Sequence, residues 1–272
     1  MSGFFKVSGA GNDFLALAEP DATPPPERIR AWCRRGVSLG ADGLFILRRT
    51  PGGMAMDYFN ADGLPADLCL NGTRCAAQLA FHLGWAADGV DVQTGAGPIA
   101  AHRLDAERVR LALPAPEAPA ALAVEVDGIS RAGHRLRVGV PHFVLFWEEL
   151  SRAPVLELGA ALRRHAAFAP EGTNVNFVRY PERHRMEIRT FERGVEAETL
   201  ACGSGVLAGV AVGLAAGSLE LPVRSLTRGG FELEVDADPL SGRWLLGGDA
   251  RVVAEGAVLP PAAVEPLPPA WS

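Results

Sequence analysis

The sequence predicts an α+β chain built as two similar domains. Short apolar and β-branched runs bounded by Gly, Pro and Asp far outnumber helical runs. Each half also follows one order: several strands, a turn carrying an acid, Cys-x-x-Gly, then a buried helix. NADG (60–63) followed by CLNG (69–72) is matched by ERG (192–194) followed by CGSG (202–205). The cysteines concerned, Cys69 and Cys202, lie close to half a chain length apart. Identity between the halves is too low to establish duplication. The shared order still argues for one architecture used twice, with one cysteine-headed helix per domain.

The elements follow in order. Residues 4–19 read as a strand, a Gly-rich turn and a second strand; 24–36 have prolines at the entry, a helical run and a glycine stop. Residues 40–50 and 54–63 read as strands joined around Pro51-Gly52-Gly53. After Asp67 to Gly72, residues 73–89 are helical, with Leu79, Leu83 and Ala86 on one face and Gly89 as the stop. Residues 90–104 and 108–113 are strands, and Pro114 to Ala121 a Pro/Ala-rich linker. In the second half, 123–129, 134–140, 141–147, 172–180 and 184–194 are strand-like, 206–217 is a small-residue helix, 231–237 and 242–248 a hairpin, and 250–259 a closing strand. The tail from Pro260 is expected to be a loosely held surface segment.

Composition narrows the function. Hydrophobic residues make up 48% and charged residues 21% of the 272, an ordinary globular balance with enough apolar mass for a full core. The net charge is −6 with no basic run, which argues against nucleic acid or an anionic membrane as partner. No charged stretch precedes an apolar one at the start, and no apolar run reaches the ~20 residues of a membrane span, so a cytoplasmic protein is expected. The four cysteines (Cys33, Cys69, Cys75, Cys202) do not suggest a disulfide framework and should be thiols. Cys33 and Cys75 are expected to pack in the core. Lys6 is the only lysine, and the five asparagines are Asn12, Asn60, Asn71, Asn174 and Asn176.

Cys69 and Cys202 carry the chemistry. The first N–H groups of a helix lack internal partners, and the macrodipole places roughly +0.5 charge there. A cysteine at that place is pushed toward thiolate, to a pKa of about 3.5–7.5 in known cases. The same N–H groups bind a carboxylate and favour the negative charge that forms when an α-proton leaves. Two such helices facing across a cleft would set a base and an acid on opposite faces of one α-carbon, which is what racemisation needs. A pyridoxal racemase needs a Schiff-base lysine, and Lys6 has no phosphate loop nearby. Zinc would favour paired Cys-x-x-Cys motifs, and Gly9-Ala10-Gly11 lacks a dinucleotide context. A thiol redox protein using Cys69 and Cys202, or an amino-acid-binding protein without catalysis, remains open.

The motifs SGAGNDF (8–14), GADG (40–43), FNADG (59–63), CLNGTRC (69–75), TGAGPI (94–99), PHFV (141–144), GTNVNFV (172–178) and ERGVEAETLACGSG (192–205) resemble the diaminopimelate epimerase family, in family order over nearly the whole chain. The resemblance implies two pseudo-symmetric domains, each a strongly curved, mostly antiparallel sheet wrapped around a central helix, with the active site in the cleft between them. The C-terminal tail returns to the first domain, giving 1–116 plus 256–272 and 117–255. Cys69 and Cys202 match the catalytic cysteines. Asn71, Gly203 and Ser204 match the cradle for the reacting carboxylate, Leu70 lies within it and Asn12 lines that centre. Asn60, Asn174, Glu192 and Arg193 match the group that recognises the distal amino-acid end, and His142 matches a histidine beside the site. The implied activity interconverts LL- and meso-diaminopimelate, on the route to lysine and peptidoglycan precursors, without cofactor or metal, in a homodimer. Leu70 replaces a family glycine, Val140 an asparagine and Leu64-Pro65 a polar pair. These departures bear on substrate, so a racemase of another amino acid, such as histidine or ornithine, is the alternative.

Overall fold

A computed structural model of the chain describes residues 3–263. The elements in chain order are β1 (Gly3–Gly9), β2 (Asn12–Ala18), α1 (Pro26–Cys33), β3 (Gly43–Thr50), β4 (Gly53–Asn60), β5 (Pro65–Ala66), α2 (Leu70–His82), β6 (Gly89–Thr94), β7 (Gly97–Arg103), β8 (Arg108–Leu113) and β9 (Ala120–Val126). They continue as β10 (Ile129–Val138), β11 (Val140–Phe146), α3 (Val155–Arg163), β12 (Asn174–Glu182), β13 (Arg185–Glu192), β14 (Ala197–Thr199), α4 (Gly203–Ala215), β15 (Val223–Leu226), β16 (Glu232–Ala237), β17 (Trp244–Asp249) and β18 (Arg251–Ala257). The second series repeats the first. Antiparallel β1–β2, parallel β2–β3, antiparallel β3–β4 and β4–β5, parallel β4–β6 and antiparallel β6–β7 recur as β10–β11, β11–β12, β12–β13, β13–β14, β13–β15 and β15–β16. The expected α+β class is therefore realised as an internal repeat written in strand pairing.

The chain divides into two compact units, 1–109 with 250–272, and 110–249. Both junctions fall a few residues before the expected ones. At the first, the break lies inside β8, because Arg110 is ion-paired with Glu234 (3.1 Å) in the second unit. At the second, the whole of β18 pairs with β1, from Gly3↔Ala257 to Ser8↔Arg251, so residues 251–255 go with the first unit. β9 pairs β10 in the same way in the second unit. In that unit the linker expected up to Ala121 is already strand from Ala120, held by Ala120↔Arg135.

In the first unit, α2 touches β1, β2, β3, β4, β6, β7 and β18, so the strands wrap it. Twelve of its thirteen residues are buried. The helix ends at His82 with Gly84 (φ +70°) beyond it, about two turns before the expected stop; Gly89 instead opens β6. A second core lies between α1 and β2–β3, from Leu15, Ile29, Trp32, Leu44 and Ile46. Ala262 packs there, and its carbonyl accepts from Ser38 Oγ (2.6 Å). The tail beyond residue 263, expected to be loosely held, lies outside the described residues.

In the second unit the sheet has two faces of different kind. Odd-numbered Phe143, Leu145, Val175, Phe177 and Phe191 pack with Leu158 and Leu162 of α3. The sequence reading leaves this helix out, although Pro154 at its N-cap and Glu157 in its first turn mark its start. Even-numbered positions face α4. A Cβ on Gly205 would meet Asn176 Oδ1, one on Gly209 would meet Met186 Sδ at 2.7 Å, and one on Gly213 would meet Leu219 and Tyr180. The glycines recur every fourth residue, so one bare ridge runs down the helix. Each glycine costs about 1 kcal/mol of helix propensity. Burial of Val206, Leu207 and Val210, at roughly 1.5–3 kcal/mol each, offsets that cost.

Gly159 tests the α3 packing. Alanine there would gain about 1 kcal/mol of propensity. Its Cβ, however, would sit 2.6 Å from Phe191 Cβ. Overpacking of this kind costs about 1–3 kcal/mol, so Gly159→Ala should lower stability by about 1 kcal/mol net in urea unfolding. A stabilised variant would show that α3 is not pressed against β13.

Candidate active site

Both helices that begin with a cysteine are built alike. Cys69 is the N-cap of α2 (φ −140°, ψ 102°), and its sulfur accepts from the Gly72 N–H at 3.4 Å. Cys202 is the N-cap of α4 (φ −124°, ψ 110°), and its sulfur accepts from the Gly205 N–H at 3.4 Å. The next donors, Thr73 N–H and Val206 N–H, bond the cysteine carbonyls at 2.7 and 3.0 Å. The first N–H groups of each helix lie at its positive end, ahead of the i→i−4 ladder, a position that suits an anion. The third helical residue is glycine for a reason of space. A Cβ at Gly72 would crowd Met56 (3.2 Å) and Cys69 Sγ (3.4 Å), and one at Gly205 would strike Asn176.

Around Cys69, in the first unit, a chain of side chains fixes the helix start. A tight turn with positive φ at Ala10 and Gly11 places Asn12 at the head of β2. Asn12 donates to Asp42 (3.0 Å) and accepts from Asn71 (2.7 Å), whose own oxygen accepts from the fully buried Arg74 (2.7 Å). Asp42 and Asp13 are held by Arg35, and Asp13 also by Lys6 (2.6 Å). Leu70, at the first helical position, is buried. Asn60 ends β4 in a turn where its N–H bonds Leu64 O (2.9 Å); among the described residues its side chain takes no part in this chain of bonds.

In the second unit, Cys202 Sγ lies 3.4 Å from Ser204 Oγ, and Gly203 opens α4. His142, Asn174, Asn176, Thr190 and Glu192 all stand on the even face of β11, β12 and β13, at the end beside Cys202. Asn174 Oδ1 accepts from the Arg193 N–H (2.7 Å), which leaves its amide NH₂ to donate. The Arg193 guanidinium reaches Glu171 (3.3 Å to its carbonyl). The sequence reading does not give Asn176 a role. It is fully buried, with bonds to His142, Phe143 and Thr190. Its signal is indirect: it is the fifth member of a scarce residue type.

The remaining cysteines are unlinked and buried. Burial pushes the Cys33 thiol up to about 12, which removes it as a nucleophile, and Cys75 has no exposed surface. Among the described residues no group of three or more His, Cys, Asp or Glu side chains is placed to hold a metal ion. No described helix is long and apolar enough to cross a membrane.

The doubled architecture has solved counterparts. The chain resembles the crystal structure of a hydroxyproline epimerase from Agrobacterium vitis with bound trans-4-OH-L-proline (TM-score 0.67, 16% identity, 94% of this chain and 91% of that one), which sets its fold. In sequence it is 35% identical to a diaminopimelate epimerase of Aquifex aeolicus over 93% of this chain and 96% of that one. It is 37% identical to one of Gemmatimonas aurantiaca over 94% and 98%. The family model described as Diaminopimelate epimerase matches residues 4–112 and 135–249. The chain belongs to the diaminopimelate epimerase family.

His142 gives this site a pH signature. Burial, with a smaller push from Arg193, lowers its pKa from 6.5 to about 3. The unfolded chain takes up a proton below 6.5 that the folded chain refuses. The stabilisation is therefore complete above 6.5 and lost as the pH falls toward 3. Urea midpoints of the wild type should fall across that window with a slope contribution of up to about 1.4 kcal/mol per pH unit, absent in His142→Gln. Parallel pH profiles for the two proteins would contradict a buried neutral ring.

Proposed function

We propose that this enzyme interconverts LL- and meso-diaminopimelate by moving the α-proton between Cys69 and Cys202, one acting as thiolate base and the other as thiol acid, with roles exchanged in the reverse direction. The single observation that carries this reading is the matched pair of sulfur caps. Each sulfur lies at the positive end of a buried helix, where thiolate is favoured and where the helix dipole suits the reacting carboxylate. Asn71, Asn12 and Leu70, with Gly203 and Ser204, form the proposed cradle for that carboxylate. Asn60, Asn174, Glu192 and Arg193 hold the distal amino-acid end, the arginine as carboxylate fork and the glutamate as ammonium acceptor. His142 lines the site. The chemistry uses only thiols and backbone donors and calls for no cofactor. The names of the relatives support diaminopimelate as substrate, and a place in lysine and peptidoglycan precursor synthesis follows from it. We place the enzyme in the cytoplasm, as a homodimer.

The test is α-deuterium incorporation into diaminopimelate in D₂O, read by NMR. The wild type should exchange. Cys69→Ala and Cys202→Ala should each lose on the order of 10²–10⁴-fold in epimerisation with the fold intact, since each lacks the acid or base on one face. An alanine variant with wild-type turnover would overturn the assignment. Exchange into another amino acid but not diaminopimelate would move the substrate and trace the change to Leu70, Val140 and Leu64-Pro65.

A further inference from the structure

The internal repeat supplies a control for each half. His142, Asn176 and Thr190 in the second unit correspond, by strand register, to Phe14, Phe45 and Tyr58 in the first. Phe14 pairs Gly43 and Phe45 pairs Tyr58, as His142 pairs Asn174 and Asn176 pairs Thr190. In the first unit the three positions are an aromatic cluster, Phe14 to Phe45 at 6.1 Å and to Tyr58 at 6.0 Å between ring centres. In the second they are three buried polar side chains joined by hydrogen bonds. The fold can fill this place with rings, so packing alone does not call for the polar set.

We infer that Asn176 is a positioning residue that fixes the His142 imidazole as its Nε2–H tautomer, so that the ring meets a carboxylate oxygen of the bound amino acid as a hydrogen-bond donor and not as a base. The Phe143 carbonyl decides the geometry. It can only accept, and it lies 3.3 Å from Asn176 Nδ2, so that atom is the amide nitrogen. The Thr190 hydroxyl donates to the other end, Oδ1, at 3.0 Å. His142 Nδ1 lies 3.1 Å from the same Nδ2 and must therefore accept. The neutral ring then carries its proton on Nε2, which is buried and has no partner among the described residues. A buried donor without an acceptor is costly, so Nε2–H is aimed at something the site takes up. On the same sheet face Asn174 has an amide NH₂ left to donate, and the positive charge of Arg193 is felt at the ring. Two donors and a nearby positive charge on one sheet face fit an anionic acceptor with two oxygens.

This rests on the proposed substrate site, and one experiment separates the two. In ¹⁵N-labelled protein at neutral pH, long-range ¹H–¹⁵N correlation reads the tautomer of each of the six histidines, and His142→Gln assigns the signal. Wild-type His142 should be neutral with the proton on Nε2. Asn176→Asp, isosteric but able only to accept when ionised, should move the proton to Nδ1. It should also raise KM for diaminopimelate by roughly ten- to a hundredfold, the loss of one hydrogen bond to a charged group, with kcat changed less. A wild-type ring that is protonated or carries its proton on Nδ1 overturns the inference, even if the variant fails to fold. A flipped tautomer with unchanged KM overturns it too. Wild-type protein that does not exchange diaminopimelate overturns the substrate reading instead, and the tautomer measurement still decides the role of Asn176.

Discussion

A sulfur atom caps a helix only on strict terms. It is a weak acceptor, and the bond it forms with the third N–H of the helix is long, 3.4 Å at both Cys69 and Cys202. That N–H is only partly satisfied by a thiol and better satisfied by a thiolate, so the cap itself favours the charged form. At the third position of α4, where glycine is required, a side chain would collide with Asn176, and at that of α2 it would crowd Met56. The cap also requires a helix start that does not fray. In the first unit this comes from the Asp42–Asn12–Asn71–Arg74 chain, and in the second from a glycine ridge that lets α4 lie close against β12 and β13. Much of what is unusual in the chain, glycine in a buried helix and a buried arginine beside asparagine, follows from holding a thiol in that place.

The repeat shows where the two halves were free to diverge. The strands that carry α2 and α4 pair identically, while the side chains on the face beneath the helix start differ. One unit keeps aromatic rings at Phe14, Phe45 and Tyr58, and the other keeps amide, imidazole and hydroxyl. An asymmetric ligand with a reacting end and a distal end would account for the difference. Burying polar groups is tolerable only when each is paired, and Asn176 is the member that pairs the others.

Much of this was legible in the sequence. The cysteine helices announce themselves through Cys-x-x-Gly, which has a single physical meaning at a helix head. The hairpins follow from Gly-rich turns between short apolar runs. What was not legible depended on contacts far apart in sequence. Residues 155–163 form a helix chiefly because Leu158 and Leu162 meet Phe143, Phe177 and Phe191, none of which is local. Gly84 and Gly89 are equally good stops by composition, and the start of β6 opposite β7 chooses between them. The domain junctions lie elsewhere than expected because the Pro/Ala-rich stretch at 114–121 looks like a linker, whereas the division follows the strands with which β8 and β18 pair. Asn176 was passed over because its neighbours His142 and Thr190 are distant in sequence and meet it only through strand register.

The account stands or falls on two thiols serving one carbon, and the isotopic fate of the α-hydrogen at initial rates in D₂O tests it most directly. With LL-diaminopimelate as substrate, a base on one face removes the hydrogen while a solvent-equilibrated acid on the other delivers deuterium. The first meso product should therefore carry α-deuterium, while recovered LL substrate remains protonated. Product that retains its original α-hydrogen would mean a single group carrying the proton from face to face, and would contradict the pairing of Cys69 with Cys202.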